Sequence, residues 1–261
     1  MTFIDALILG IIEGITEFLP ISSTGHLMLA GRLLNLAQTE FLKSFDIAIQ
    51  SGAILAVVVL YARRLWRDAE LAKRIVAAFI PTAVVGLALY RTVKDYLLAD
   101  TGIVLWMLFL GGIGLVVFEK WYVKRTHAFY TSGDEESHTH ISYSQALWIG
   151  LCQSVAMVPG VSRAAATIIG GLALGIERKT IVEFSFLLAI PTMAAATGLD
   201  LIKNAQSFSG AEFYLLAIGF IAAFITALIS VLWLLRFIKT HTFTPFGIYR
   251  VALALVFWLF I

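Results

Sequence analysis

Residues 13–26 read EGITEFLPISSTGH, and they place a polar, proline-containing break inside an apolar run. The stretch 3–19 is apolar enough to enter a bilayer, whereas 26–37 would reach only about 18 Å as a helix, at about 1.5 Å per residue. A spanning helix needs about 20 mostly apolar residues. Polar backbone inside lipid is tolerated where it lines a protein cavity or re-enters the membrane. The stretch therefore predicts a re-entrant helical hairpin. The alternative is two ordinary spans with kinks and short interfacial helices.

A second polar break, PGVSR at 159–163, lies between the apolar stretches 143–158 and 164–176. The two breaks belong to a faint internal repeat, in which GIIE at 10–13 resembles GLCQ at 150–153. Halves that carry one pattern in opposite orientations form an inverted repeat, and such folds place their site near the membrane midplane at the repeat interface. We therefore expect a second re-entrant hairpin. Chance similarity between two apolar sequences is the alternative.

The composition is that of a polytopic membrane protein. Of 261 residues, 60% are hydrophobic and only 36 are charged (17 acidic and 19 basic). A soluble domain of this length would carry about 65 charged residues. This excludes a water-soluble globule, a disordered chain and a nucleic-acid-binding protein with a basic face. The single cysteine, Cys152, excludes an internal disulfide and a cysteine-rich metal site.

The apolar runs outside the two hairpins predict the spanning helices. Five runs have about the length that a span requires: 45–62, 75–90, 102–118, 183–202 and 212–235. A sixth run, 245–261, is expected to span as well. The predicted fold is an all-α helical bundle with two re-entrant helical hairpins in an inverted-topology internal repeat. It forms one integral membrane domain, 1–261, with repeat halves at roughly 1–118 and 141–261.

The distribution of lysine and arginine predicts the orientation in the membrane. If the 63–74 loop is cytoplasmic, the loops on that side hold twelve Lys and Arg residues, at 63–74, 120–125, 178–179 and 236–239. The segments on the other side hold four. Under this topology the first hairpin opens to the outside and the second hairpin to the inside.

Ionisable residues at membrane depth are costly, so each is a functional candidate. Glu13 and Glu17 are four residues apart and share one helix face, with apolar residues on both sides. A solvated helix face is the alternative interpretation. Two carboxylates this close in an apolar medium repel each other, and a hard divalent cation, Mg²⁺ or Ca²⁺, would relieve the repulsion. The pair therefore predicts a metal site.

The hydroxyl-rich segment that follows, SSTGH at 22–26, suits anion binding and proton transfer. A helix that starts here would offer unpaired backbone N–H groups to an anion. His26 titrates near neutrality, which suits general acid/base catalysis. A Ser/Thr helix cap beside an interfacial histidine is the alternative.

The second break adds an arginine, Arg163, with hydroxyls at Ser162 and Thr167. Arginine is always charged, matches phosphate oxygens with its planar fork, and is hard to place in lipid without an anionic partner. An arginine that reaches the interface is the alternative. Together the two breaks predict phosphoryl transfer, which depends on charge neutralisation and alignment.

The two motifs also resemble those of a known family. Residues 13–26 resemble the glutamate-rich first motif of the bacterial undecaprenyl-diphosphate phosphatases, also called bacitracin-resistance proteins. Residues 159–167, PGVSRAAAT, resemble their second motif, and EFSFLLAIP at 183–191 resembles a further family segment. The similarity runs over essentially the whole chain.

The resemblance implies an integral membrane phosphatase. It would hydrolyse undecaprenyl diphosphate to undecaprenyl phosphate and inorganic phosphate, which recycles the lipid carrier for peptidoglycan synthesis and confers bacitracin resistance. It implies Mg²⁺ or Ca²⁺ as cofactor, membrane lipids as surroundings, and multi-pass insertion in the bacterial cytoplasmic (inner) membrane. The active site would open to the outer, periplasmic face. A monomer and a homodimer both remain open.

The resemblance also implies roles for individual residues. The acidic motif matches at Glu13 and Glu17, and Glu17 is the stronger candidate because the family allows Gln at the first position. Ser23 and His26 match the positions proposed for nucleophile and acid/base. The phosphate-binding positions match at Ser162, Arg163 and Thr167.

The chain departs from the family pattern at one position, and two alternatives remain. The family usually has a serine directly after the arginine, where this chain has Ala164, so that contact to phosphate is absent. A metal-bound water competes with Ser23 as the nucleophile. A secondary transporter or flippase of a lipid phosphate is the alternative function, because inverted repeats with broken helices fit a transporter equally well.

Overall fold

The computed structural model describes residues 1–37, 39–92, 101–132, 140–204 and 210–259. Within these ranges the regular elements are helical, which confirms an all-α fold. The α-helices are α1 (Phe3–Thr16), α2 (Ser23–Leu33), α3 (Glu40–Arg67), α4 (Ala69–Thr92), α5 (Thr101–Ser132), α6 (Tyr143–Ser154), α7 (Arg163–Ala173), α8 (Arg178–Asn204), α9 (Gly210–Phe237) and α10 (Thr244–Trp258). A short 3₁₀ helix, Val155–Met157, follows α6.

Five of these helices are long and apolar enough to cross a membrane, and they are α3, α4, α5, α8 and α9. They match the five predicted apolar runs, which confirms a polytopic membrane protein. Each helix extends beyond its apolar run into polar ends; α3, for example, has Arg64 and Arg67 in its last turn. Long basic side chains can carry their charge from such ends to the interface. The helix α10 has 15 residues, or about 22 Å, so a sixth span at 245–261 stays a prediction.

Two helix pairs interrupted by a tip occupy the positions of the predicted hairpins. The helices α1 and α2 pack together around a first tip at 17–22, and α6 and α7 pack together around a second tip at 158–162. The four helices have 14, 11, 12 and 11 residues, respectively. At about 1.5 Å per residue none reaches the roughly 30 Å of a hydrocarbon core. Their lengths agree with re-entrant hairpins, and re-entry itself stays a prediction.

Both hairpins begin with the same capping arrangement. The hydroxyl of Thr2 accepts from the N–H of Asp5, whose carboxylate accepts from the N–H of Thr2 at 2.6 Å. At the start of α6, Ser142 and Gln145 exchange the equivalent two bonds. Each capping box satisfies two backbone donors that a helix start leaves unpaired. The sequence thus defines the start of each hairpin locally.

Each hairpin packs its first helix against a long helix from the other half of the sequence. The helix α1 lies along α9 and α6 lies along α4, while α3 contacts α8 and α5 contacts α10. A Cβ atom at Gly10 would overlap the carbonyl oxygen of Gly219 in α9, and one at Gly150 would overlap that of Ala78 in α4. The two contacts are related by the roughly 140-residue offset of the internal repeat. The inverted orientation of the halves and the single-domain division stay predictions.

We predict that Gly10→Ala and Gly150→Ala each destabilise the protein by about 1–3 kcal/mol, because the added methyl group must separate two helix backbones in close contact. Thermal unfolding in detergent, followed by circular dichroism, would show a lower midpoint for both variants. Gly198→Ala is the control, because a Cβ atom at Gly198 meets no atom of the described residues within 4 Å. An unchanged midpoint in both hairpin variants would contradict this packing.

Candidate active site

The two hairpin tips meet inside the bundle. The hydroxyl of Ser162 donates to the carbonyl oxygen of Leu19 at 3.4 Å, and Arg163 Nη2 lies 3.1 Å from Glu17 Oε1. A cavity of about 150 Å³ lies beside these contacts. Its lining combines both tips with residues of α3 and α8: Glu17, Ser22, Ser23, Thr24, Gln50, Ala156, Val161, Ser162, Arg163 and Met193. The structure therefore brings together predicted site residues from both motifs.

The Glu17 carboxylate is the centre of the site, because both of its oxygens are engaged. Ser23 donates its hydroxyl hydrogen to Oε2, and Arg163 donates to Oε1. Both charged side chains are largely buried, with 6% of Glu17 and 13% of Arg163 exposed. Charge-assisted hydrogen bonds of this kind are about twice as strong as neutral ones. A carboxylate that accepts from a serine hydroxyl can also take its proton.

The Arg163 guanidinium has a second anchor and spare capacity. Its Nη1 donates to the carbonyl oxygen of Ser185 at 3.2 Å, and its carbon lies 5.9 Å from the centre of the Phe18 ring. Its Nε is buried and has no hydrogen-bond partner within the described part of the chain. These contacts hold the guanidinium inside the bundle, which disfavours the alternative of an arginine that reaches the interface. The group faces the cavity as a donor for an anion.

The first tip carries a strained residue. Ser22 has φ 71° and ψ 93°, a left-handed conformation that residues other than glycine rarely adopt. Ser22 precedes α2 directly, but its side chain makes no capping bond, in contrast to the Ser/Thr cap that was the alternative for this segment. Strain of this kind persists where the surroundings over-determine the backbone, and it clusters at functional sites. The strained residue lies in the cavity wall.

The second hairpin carries two of the predicted site hydroxyls, one at its tip and one in α7. Ser162 caps α7, accepting from the N–H of Ala165 at 3.2 Å, and it also lines the cavity. Thr167 is fully buried, and its hydroxyl lies 2.6 Å from Ser185 Oγ in α8. The structure thus places Thr167 between α7 and α8, away from the cavity lining. Its predicted contact to phosphate stays a prediction.

His26 lies outside the cavity lining. Its Nδ1 is 2.7 Å from the carbonyl oxygen of Ser22, which can only accept, so Nδ1 carries the hydrogen. In the neutral imidazole Nε2 then accepts from the hydroxyl of Tyr249, at 2.8 Å. The two rings are stacked with centres 5.5 Å apart. In this arrangement both ring nitrogens are engaged, and the acid/base role of His26 stays a prediction.

Among the predicted site residues, Glu13 has the side chain best suited to bind a cation. It is fully buried, neither of its carboxylate oxygens accepts from an N–H or hydroxyl donor among the described residues, and it lies beside the Glu17 carboxylate. Asp46 of α3 is close enough to interact electrostatically with Glu13, and its Oδ1 is also buried without a partner in that part of the chain. A bound Mg²⁺ or Ca²⁺ would satisfy such oxygens. Within the described ranges, no three His, Cys, Asp or Glu residues form a metal-binding group, so substrate or water oxygens would have to complete the coordination.

Two charged residues near the site were absent from the sequence predictions. Asp46 lies within the predicted run 45–62, and Arg250 lies within 245–261. Arg250 is buried and donates to backbone carbonyl groups of both tips. Arg163 was identified because it is an ionisable residue inside an apolar run. The same criterion identifies Asp46 and Arg250.

Known proteins resemble this chain over nearly its whole length. A family model described as bacitracin resistance protein BacA matches residues 6–256. An undecaprenyl-diphosphatase from Aquifex aeolicus is 51% identical over 257 residues, which is 98% of each chain. Proteins of the same name from a Sulfurihydrogenibium species and from Persephonella marina are 49% and 48% identical, over 99% and 100% of each chain. The chain therefore belongs to the bacitracin resistance protein BacA family.

Proposed function

We propose that this protein hydrolyses undecaprenyl diphosphate to undecaprenyl phosphate and inorganic phosphate, and so recycles the lipid carrier for peptidoglycan synthesis. One observation carries the proposal: Ser23, Glu17 and Arg163 form a continuous bonded set in the wall of a cavity between the hairpin tips. The family membership and the names of the relatives support the same reaction. Bacitracin resistance would follow, in keeping with the name of the family.

The diphosphate binds where its charge can be neutralised. Arg163 donates to the oxygens of the terminal phosphate, using its unpaired Nε and one of its Nη groups. The hydroxyl of Ser162, which lines the same cavity, adds a further donor. Arginine suits this task because its donors are fixed in one plane and match phosphate oxygens in pairs. The prenyl chain stays in lipid between the helices.

Ser23 then attacks the terminal phosphorus, and its proton passes to Glu17, which already accepts the hydroxyl hydrogen. The bond from phosphorus to the bridging oxygen breaks, and undecaprenyl phosphate leaves. Water hydrolyses the phosphoserine, releases inorganic phosphate and restores Ser23. His26 is the proposed acid/base group that assists these proton transfers. Direct attack by water is the competing mechanism.

A divalent cation, Mg²⁺ or Ca²⁺, is the proposed cofactor. Glu13 and Glu17 would hold it, and the two unpartnered, buried oxygens of Glu13 support this assignment. When bound, the cation supplies positive charge that neutralises the diphosphate and polarises its phosphorus–oxygen bonds. An ionised Glu13 would be costly to bury without a cation.

We propose that the protein lies in the bacterial inner membrane with its site open to the periplasmic face. The excess of Lys and Arg at 63–74, 120–125, 178–179 and 236–239 supports this orientation, because basic residues near the ends of spans favour the cytoplasmic side. Arg178 and Arg236 belong to this basic end of the bundle. The diphosphate group of the substrate would then lie on the outer side.

We predict that the purified protein in detergent releases inorganic phosphate from undecaprenyl diphosphate when Mg²⁺ or Ca²⁺ is present. Detergent micelles hold no gradient, so a transporter without hydrolytic activity would release none. Addition of EDTA should abolish release, and excess Mg²⁺ or Ca²⁺ should restore it. Absence of metal-dependent phosphate release would refute the phosphatase proposal.

We predict that Ser23→Ala, Glu17→Ala and Arg163→Ala each lower kcat by about 100-fold or more. These variants remove the nucleophile, its base and the main phosphate donor, respectively. Arg236→Ala is the control, since Arg236 is exposed at the end of α9. Phosphate release and thermal unfolding would be measured side by side. Full activity in Ser23→Ala would establish water as the nucleophile, and equal losses in all four variants would show that the site assignment is wrong.

A further inference from the structure

One buried side chain from α10 contacts both hairpin tips. Arg250 is 1% exposed, and its Nη1 donates to the carbonyl oxygen of Pro20 in the first tip at 3.4 Å. Its Nη2 donates to the carbonyl oxygen of Gly160 in the second tip at 3.0 Å and to that of Met107 in α5 at 2.9 Å. A single guanidinium thus joins both tips to each other and to the bundle.

The partners of Arg250 are unusual for a buried charge. Within the described part of the chain it pairs with no carboxylate, and its hydrogen bonds go to backbone carbonyl oxygens alone. Burial of a charge in an apolar bundle is expensive, so an apolar side chain would fill this space at lower cost. The planar fork of arginine can reach separate carbonyl groups with separate nitrogens, which the single ammonium of lysine cannot do. The contact therefore serves to hold the tips.

The surroundings leave room for this guanidinium. A Cβ atom at Gly111 in α5 would overlap Arg250 Nη2. The backbones of α5 and α10 approach closely at Gly112 and Gly247. A Cβ atom added to either glycine would lie 2.7 Å from the carbonyl oxygen of the other. This close approach of Gly112 and Gly247 fixes α10 against α5, and so fixes how far the Arg250 side chain extends toward the tips.

The neighbouring residue holds the first tip at a second point. Tyr249 bonds to Nε2 of His26, and His26 bonds in turn to the carbonyl oxygen of Ser22. The strained backbone of Ser22 is therefore fixed from α10 as well. Two successive residues of one helix hold the first tip, and one of them also holds the second.

We infer that Arg250 is a positioning residue, which sets the separation of the two tips so that Glu17 and Ser23 of the first hairpin meet Arg163 of the second. It does not line the cavity, so it acts through the tip backbones and not on the substrate. The kinetic part of this inference rests on the proposed phosphatase function. The structural part does not.

Arg250→Lys keeps the charge and loses the planar guanidinium that reaches both tips. We expect it to lower kcat by about 100-fold, because a misplacement of the reacting groups by about 1 Å can have that effect. KM should change less than about threefold, since Arg163 still binds the phosphate. Arg236→Lys, at an exposed position, should keep wild-type kcat and KM. Wild-type kcat in Arg250→Lys would overturn the inference, because charge alone would then suffice.

Gly111→Ala tests the same contact with Arg250 left in place. The added methyl group would displace the guanidinium, so this variant should reproduce the loss of kcat. Gly114→Ala, on the same helix, is the matched control, because a Cβ atom there meets nothing within 4 Å in the part of the chain that the structure describes. Equal kcat values in these two variants would overturn the inference, even if Arg250→Lys failed to fold.

The separation of the tips can be measured without any assay of activity. Ile15 and Val155 are exposed and lie beside the first and second tip, respectively, so cysteines at these positions can carry spin labels in a Cys152→Ser background. We expect one narrow distance distribution in the parent and in Gly114→Ala, and a shifted or broadened one in Arg250→Lys and Gly111→Ala. An unchanged distribution in Gly111→Ala would overturn the positioning role. Failure of the phosphatase proposal would leave these distances unaffected.

Discussion

An ionised side chain inside an apolar bundle must find a partner, and this constraint organises the structure. Glu17 and Arg163 satisfy it for each other although 146 positions separate them. Removal of one partner would leave a buried charge without compensation, at a cost of about 3–5 kcal/mol. The two tips must therefore meet, and the crossed packing of α1 on α9 and of α6 on α4 is what allows them to do so. The cavity is a product of that meeting.

Close backbone approach supplies the rest of the cohesion. Helices in lipid gain little from the hydrophobic effect, and small residues let their backbones come close enough for dispersion forces and polar contacts. Gly10 and Gly14 serve α1 in this way, and Gly150 serves α6. Such contacts fix helix positions within a fraction of an ångström, which a site built from two separate tips requires. Strain at Ser22 can persist because these contacts define the backbone on both sides.

The sequence predicted the fold class and singled out Glu17 and Arg163, because an ionisable residue stands out in an apolar run. It assigned Glu17 to a metal and Arg163 to a phosphate, and it did not predict the contact between them. Glu17 and Arg163 lie in breaks that composition alone identifies, and the structure joins them. Arg250 carries the same signal, yet its function depends on carbonyl groups of distant tips, which no side-chain pattern records. The orientations of His26 and Thr167 were equally beyond the sequence, since hydrogen bonds with Tyr249 and Ser185 from other helices decide where they point.

The crossed packing also constrains the order of assembly. The partner of α1 is α9, which leaves the ribosome about 200 residues after it, so the contact of Gly10 with Gly219 cannot form while the chain is still short. Until then the carboxyl groups of Glu13 and Glu17 enter an environment that lacks both Arg163 and α9. Biogenesis must therefore keep the first hairpin in an unfinished state, and the finished site appears only when nearly the whole polypeptide has been made.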